Sequence, residues 1–471
     1  MANFAPNPEA VARVPRALAF RHDALPLNLV DGVLAVALPD PDNVEVVDAL
    51  RAATRLRVRP LPMARDAIRE SLRAAYAASS DDREGNDAPV VRAVDRVFAR
   101  AIAAHASDVH IEPAAAGGRV RIRVDGLLHE LETIPPELFA AFSSRVKVLA
   151  NMDVADRRQP QDGRCGIPFE QREIDARVAS VPTIGGEKLV VRLLDGYASA
   201  PELSALGMAP TLLDRYRAAV HAPWGFVIVT GPTGSGKTTT LYASLAELDR
   251  RTRNVCSVED PVEMRLRDVS QVQVNVRAGV TFPAALRAFM RCDPNVVMVG
   301  ELRDAETAAV SVSAALAGQI VFTTLHATDA PRTVDRLVEL GVTRHSLAAA
   351  LTAVVAQRLV RRLCERCRVR AVIPAQLRQA LSTAQETWYV AAGCRACDGT
   401  GFLGRTGVYE LLTVDDATRD AIATGDSSVQ VAAVAARAGY RTMRDDARAK
   451  VLEGITTYDE IARVVAWDVA R

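Results

Sequence analysis

The sequence predicts an α/β protein, a parallel sheet with helices on both faces preceded by smaller α/β units, and three observations predict it. From about Trp224, short apolar runs at Phe226 to Thr230, Val255 to Glu259, Val296 to Val299 and Ile320 to Thr324 alternate with helical patterns. The first run leads directly into a glycine-rich turn that opens a helix reaching about Leu248. The length, 471 residues at 49% hydrophobic and 24% charged, suffices for two to four domains with cores of their own.

Ahead of the sheet, residues 1–76 read as a small α/β unit, with a strand at Val33 to Leu38, a helix at Asn43 to Arg51 and a strand at Arg55 to Arg59. Residues 77–88, rich in Ser, Asp, Gly and Asn, read as a linker. A second domain, 89–200, opens with an amphipathic helix at Val90 to His105 and continues as a hairpin, Asp108 to Glu112 and Arg119 to Asp125, turning across Gly117 and Gly118. In the second strand Val120, Ile122 and Val124 share one face, and Arg119, Arg121, Arg123 and Asp125 the other. Taken alone, such an arginine stripe is most simply a solvated strand face. The remainder, 201–471, is the large sheet domain, with a lobe at about 360–410.

Net charge bounds the partners. A formal charge of +1 removes the basic signature of a general nucleic-acid binder, so no direct nucleic acid is expected. The first ten residues lack a basic region followed by an apolar core, which reads as a cytoplasmic protein without a secretory signal. Thr307 to Thr328 carries no Lys, Arg, Asp or Glu, but its Ser, Thr, Gln and His make an Ala-rich helix followed by a buried strand the better reading than a membrane span.

The chemistry starts at Gly231, Pro232, Thr233, Gly234, Ser235, Gly236, Lys237 and Thr238, which match G-x-x-x-x-G-K-[ST] between a strand and a helix. Backbone N–H groups of such a loop wrap phosphates, Lys237 supplies charge to the β and γ groups, and Thr238 can hold Mg²⁺. In open α/β sheets the ligand sits beyond the carboxyl ends of the strands. There the sequence places Glu259, Asp260 and Glu263, then Glu301, then His326. Glu301 is the first choice for the catalytic residue, able to orient or deprotonate water; Glu259 and Glu263 add acidic groups around metal and water. His326 can donate a hydrogen bond to a γ-phosphate, against the plainer reading of a structural hydrogen bond.

Cys364, Cys367, Cys394 and Cys397 form two C-x-x-C pairs with the spacing of a closed, structural zinc site. Flanking arginines at 361, 362, 366, 368 and 370 keep a nucleic-acid-binding zinc ribbon as the competing reading. Cys165, Cys256 and Cys292 have no such partners and read as small apolar side chains.

Together these residues resemble the secretion ATPases of bacterial type II secretion and type IV pilus assembly. The phosphate loop through Thr239 to Tyr242, the acidic stretch Val258 to Glu263, the second nucleotide motif Leu286 to Thr307 and the histidine stretch Ala317 to Asp329 are similar to that family's four motifs. Ser107 to Pro113, Arg121 to Gly126 and Asn151 to Arg164 resemble its preceding domain. The resemblance implies a RecA-like P-loop ATPase core using Mg²⁺ with ATP, a structural Zn²⁺, and a homohexamer in which arginines of the preceding domain, here Arg123, Arg158 and Arg164, approach the phosphates. It also implies an N-terminal partner-docking domain and peripheral association with the inner membrane through platform proteins, and the expected mechanical step is a rotation of the second domain against the core, driven by contacts that differ with and without nucleotide. The four cysteines favour the secretion and pilus-extension branch over the retraction motors.

Three positions depart from the pattern. Gln319 stands where the family has a first histidine, and Cys292 and Asn295 where Gln and Asp are commoner. The phosphate, acidic and metal groups are intact, so hydrolysis is expected. The alternatives are a DNA-translocating or conjugation-type ATPase and a non-hydrolysing nucleotide-dependent scaffold, the latter supported by Gln319 alone. Secretion and pilus assembly are not separated by any of these residues.

Overall fold

The computed structural model describes residues 6–14, 16–64, 67–69, 71–72, 75, 84–170, 172–194 and 200–465. Two compact units emerge, residues 1–100 with 134–148 and residues 101–133 with 149–471.

In the first unit β1 (Leu25–Val30), β2 (Val33–Leu38) and β3 (Arg57–Pro62) form a sheet in that order, β1 antiparallel and β3 parallel to β2. Helix Val44–Thr54 crosses between β2 and β3, capped by the Asn43 side chain, which accepts from the Val46 N–H. Arg55 ends that helix in the left-handed conformation (φ 56°), so the strand expected from Arg55 starts at Arg57 instead. Leu25, Leu34, Val36, Leu50, Ile68 and Leu72 make the core. The linker reading of 77–88 lies outside the described residues up to 83, and its last five residues open helix Glu84–Ala103. Most of that helix and of helix Pro136–Leu149 groups with this unit, so the expected second domain is divided: its helices fall here and its strands in the second unit.

The second unit begins with β4 (Asp108–Ala114), β5 (Gly117–Val124), β6 (Leu127–Ile134), β7 (Gln161–Phe169), β8 (Arg172–Thr183) and β9 (Gly186–Leu194), ordered β6-β5-β4-β9-β8-β7. The β4–β5 turn falls at Ala115 and Ala116; Gly117 and Gly118 already pair, with Ala114 and Pro113. The arginine stripe divides. Arg121 makes a two-pronged contact with the buried Glu112 (2.8 and 2.9 Å), joined by Arg119 at 3.4 Å and Lys188 at 2.9 Å. Burial pushes the Glu112 carboxyl up, but hydrogen bonds from Arg121 and Lys188 outweigh it and hold the pKa down to about 2. Two of the three arginines thus serve the sheet, leaving Arg123 at its end.

The large sheet contains β10 (Gly225–Thr230), β11 (Val255–Glu259), β12 (Ser270–Gln273), β13 (Val296–Val299), β14 (Ile320–Leu325) and β15 (Leu351–Leu363). Within the following lobe lie β16 (Val369–Val372) and β17 (Thr387–Val390), and β18 (Phe402–Thr413) returns to the sheet. The order is β12-β11-β13-β14-β10-β15-β18, parallel except β18, which runs antiparallel to β15. Residues of β10, β11, β13 and β14 are buried throughout, the mark of parallel strands covered on both faces. One side packs Val227, Val229 and Val355 against Tyr242 and Leu245; the other packs Ile228, Val258 and Val299 against Leu286 and Ala308. Thr307 to Thr328 runs through all but the first two residues of helix Ala305–Leu316 and then β14, as expected, and among the described residues no helix is long and apolar enough to cross a membrane.

Candidate active site

β10 delivers the phosphate loop. Its last residue, Thr230, is fully buried, and the chain then turns through Gly231, Gly234 and Gly236, all at positive φ, into helix Lys237–Glu247. The turn leaves the first backbone N–H groups of the helix facing outward, where no helical carbonyl can accept them and where the helix dipole favours an anion. The Lys237 ammonium donates to the carbonyls of Gly231 and Pro232, 3.0 Å each. Burial lowers its pKa and Arg358 adds to the effect, while Glu301 opposes it.

Strand order explains how distant carboxylates reach this loop. β14 lies between β10 and β13, so their carboxyl ends set His326 between the loop and Glu301. His326 Nε2 stands 3.7 Å from one Glu301 oxygen; Arg303 Nε donates to the other at 2.6 Å and bridges to Asp260 at 3.0 Å. Glu259, 2% exposed, accepts from Tyr242 (2.5 Å), Ser257 (2.7 Å) and Gln271 (3.0 Å), whereas Glu301 is only half-buried and meets the cavity more openly. Glu263 faces Arg177 at 3.8 Å. Thr233, Gly234, Gly236, Lys237, Thr238, Thr239, Glu259, Asp260, Glu263, Glu301 and His326 line one cavity of about 690 Å³, within the range of small-ligand sites. Pro232 and Ser235 line the adjoining cavity on the flank of the loop.

The six-stranded sheet contributes arginines, though not all those expected. Arg123 reaches that flanking cavity, donating to the Gly126 carbonyl at 2.9 Å and standing 3.7 Å from Asp108. Arg164 lines a further cavity of about 430 Å³ with Arg177 and Arg192. Arg158 is exposed and lines none of these. Arg177, Arg192 and Arg405, which no sequence pattern marked, line the nucleotide-sized cavity itself. Of these, Arg405 is 3.5 Å from Asp125, the residue that ends the arginine stripe.

The four cysteines converge. Sγ separations are 3.9 Å for Cys364 and Cys394, 3.8 Å for Cys367 and Cys397, and 3.8 Å for Cys394 and Cys397, with all four sulfurs within 4.8 Å of one another. A disulfide needs about 2.05 Å. A tetrahedron with Zn–S bonds of about 2.3 Å has edges of about 3.8 Å. The thiols therefore fit a closed structural Zn²⁺ site, and the backbone N–H groups of Cys394 and Gly401, each 3.2 Å from Cys397 Sγ, would stabilise thiolate there.

The three departures stand apart from the chemistry. Gln319 precedes β14, at the end of the sheet away from the phosphate loop, where its carbonyl accepts from Gly225 N–H. Cys292 and Asn295 precede β13 at that same end, Asn295 accepting from Asn254 N–H at 2.7 Å. The six residues of β14 put about 20 Å between Gln319 and His326.

Comparison with known proteins agrees with the geometry. Residues 83–463 match the family model described as type II/IV secretion system protein, and residues 2–82 match the MshEN domain. The chain is 39% identical to the type II secretion system protein E of Pseudomonas aeruginosa, over 98% of this chain and 99% of the relative. It is 46% identical to that organism's type II secretion system protein HxcR, over 82% and 78%. It is 37% identical to the type IV pilus assembly ATPase PilB of Myxococcus xanthus, over 99% and 88%. Among solved structures, the Legionella pneumophila ATPase DotB shares the fold at TM-score 0.60 and 22% identity, over 79% of this chain and 95% of that one. The pilus retraction motor PilT shares it at 0.56 and 24%, over 79% and 97%. The chain thus belongs to the type II/IV secretion system protein family and is a P-loop ATPase of that family.

Proposed function

We propose that this protein is an ATP-hydrolysing motor that powers assembly of a type II secretion pseudopilus or a type IV pilus at the inner membrane, working as a homohexamer. The observation that carries the reading is the single cavity in which the phosphate loop, Glu301, His326 and arginines of the preceding sheet meet. Relatives named for type II secretion and for pilus assembly, each matched over nearly the whole chain, support it.

In this reading Thr238 and the acidic group hold Mg²⁺ with ATP, and Glu301 orients or deprotonates the attacking water. Glu259, fixed by three donors, keeps the acidic edge in place, and Glu263 balances Arg177. His326 contacts the γ-phosphate, and Arg123, Arg177 and Arg192 meet the phosphates as the second domain closes. Arg164 stands beside Arg177 and Arg192. The N-terminal unit docks the chain, from the cytoplasm, on inner-membrane platform proteins. Charge supplied across a subunit boundary makes hydrolysis conditional on assembly.

Turnover per subunit is therefore expected to rise about tenfold or more as protein concentration passes the assembly threshold, and to be indifferent to added DNA. Phosphate release measured beside light scattering checks this. Turnover dependent on DNA, falling steeply with salt, would favour the translocase instead.

A further inference from the structure

The geometry points to Gln357 as the residue that sets the shape of the phosphate loop, a positioning role that rests on the ATPase reading above. β15 runs parallel to β10 with Ala356 opposite Thr230, so Gln357 arrives behind the loop just as the loop begins. It is 1% exposed. Its Nε2 donates to the Ser235 carbonyl at 2.6 Å, and its Oε1 accepts from the Thr240 hydroxyl at 2.8 Å. One buried amide thereby joins the crest of the loop at Ser235 to the first turn of the helix at Thr240, spanning the four residues from Gly236 to Thr239.

The glycines record the same contact from the other side. A Cβ at Gly231 would lie 2.5 Å from the Gln357 carbonyl oxygen, and one at Gly236 would lie 3.2 Å from Gln357 Nε2. These positions accommodate β15 as well as a phosphate, beyond their positive φ. Arg358 extends the support, donating to the Gln357 carbonyl at 2.9 Å and to the Thr328 carbonyl at 2.8 Å, two residues past His326. The segment therefore holds the phosphate loop and the histidine loop to one strand.

The amide supplies a donor at one end and an acceptor at the other, which neither a carboxylate nor an apolar side chain of the same length does. Without it the Ser235 carbonyl and the Thr240 hydroxyl lose a buried partner, and the loop can turn its N–H groups away from the ligand. Because the loop cradles phosphates common to ADP and ATP, both nucleotides must weaken together, while the groups acting on water are untouched.

The experiment uses the full chain, with equilibrium binding of fluorescent ADP and ATP analogues in Mg²⁺ and steady-state kcat and KM. Gln357→Met should weaken both nucleotides about tenfold and raise KM in parallel, with kcat within about twofold of wild type. Thr240→Val, which deletes one of the two bonds, should weaken both by about threefold and carries the test if Gln357→Met does not fold. Glu301→Gln should bind both normally. Wild-type affinities in Gln357→Met, or in Thr240→Val should that variant alone fold, would overturn the inference. A wild-type chain that neither binds nor hydrolyses ATP would instead overturn the ATPase reading.

Discussion

Glu301→Gln is expected to bind Mg-ATP as tightly as the wild type and to hydrolyse it at least about a hundredfold more slowly, the usual loss when a group acting on the attacking water goes. The substitution preserves shape. A glutamine oxygen can still accept from Arg303, so the Arg303 bridge to Asp260 and the placement of His326 survive. What disappears is the negative charge to which the proposed mechanism gives the orientation and deprotonation of water. Burst-free turnover in a phosphate-release assay, read beside equilibrium binding of the labelled nucleotide, separates the two effects. Turnover within threefold of wild type would remove Glu301 from the catalytic role.

Cys394→Ser should lose the bound zinc and leave the lobe open to protease while the parallel sheet stays folded. The lobe has little with which to hold itself: a two-stranded sheet, β16 with β17, and the six-residue helix Ala375–Ala380. A two-stranded sheet is at best marginal alone. Ile373, Leu381 and Trp388 are buried, but against the main core. A Zn²⁺ held by the four thiolates would therefore add to that packing most of what fixes the lobe's interior, as binding energy that exists only in the folded arrangement. Elemental analysis should give one zinc per wild-type chain and a small fraction of that in the variant, with cleavage of the variant confined to residues between β15 and β18. A metal-free wild type with a protease-resistant lobe would refute the assignment.

The nucleotide half of the site was legible because its groups follow strand ends in sequence order, and an apolar run predicts where each strand stops. His326 follows β14 directly, and Glu301 follows β13 after Gly300. The arginines were not legible in the same way. Arg177 and Arg192 sit mid-strand in β8 and near the end of β9, and only the folded sheet brings them to the cavity. Arg121 has the same residue type and alternation as Arg123, yet it is spent on Glu112, a partner that the strand pairing reveals and the stripe does not.

Three of the strands that the apolar runs do not show, β1, β15 and β18, are hidden for physical reasons. Pro26 in β1 argues against a central strand, and β1 is indeed an edge strand with a register shift beside that proline. β15 and β18 mix arginines into apolar runs. Arg361 and Arg405 lie opposite each other in the ladder between them, and each charge goes to a separate carboxylate, Arg361 to Glu460 of the C-terminal helix and Arg405 to Asp125. The hairpin turn, expected at Gly117 and Gly118, falls on two alanines because those glycines are already in the ladder.

The central claim, that this cavity hydrolyses ATP through its phosphate loop, is tested most directly by steady-state phosphate release from Mg-ATP by the assembled chain, wild type beside Lys237→Ala. Turnover is expected in the wild type and none above background in the variant, since the ammonium proposed to meet the β and γ groups is gone. Equal rates in the two proteins, or no turnover in either once assembled, would contradict it.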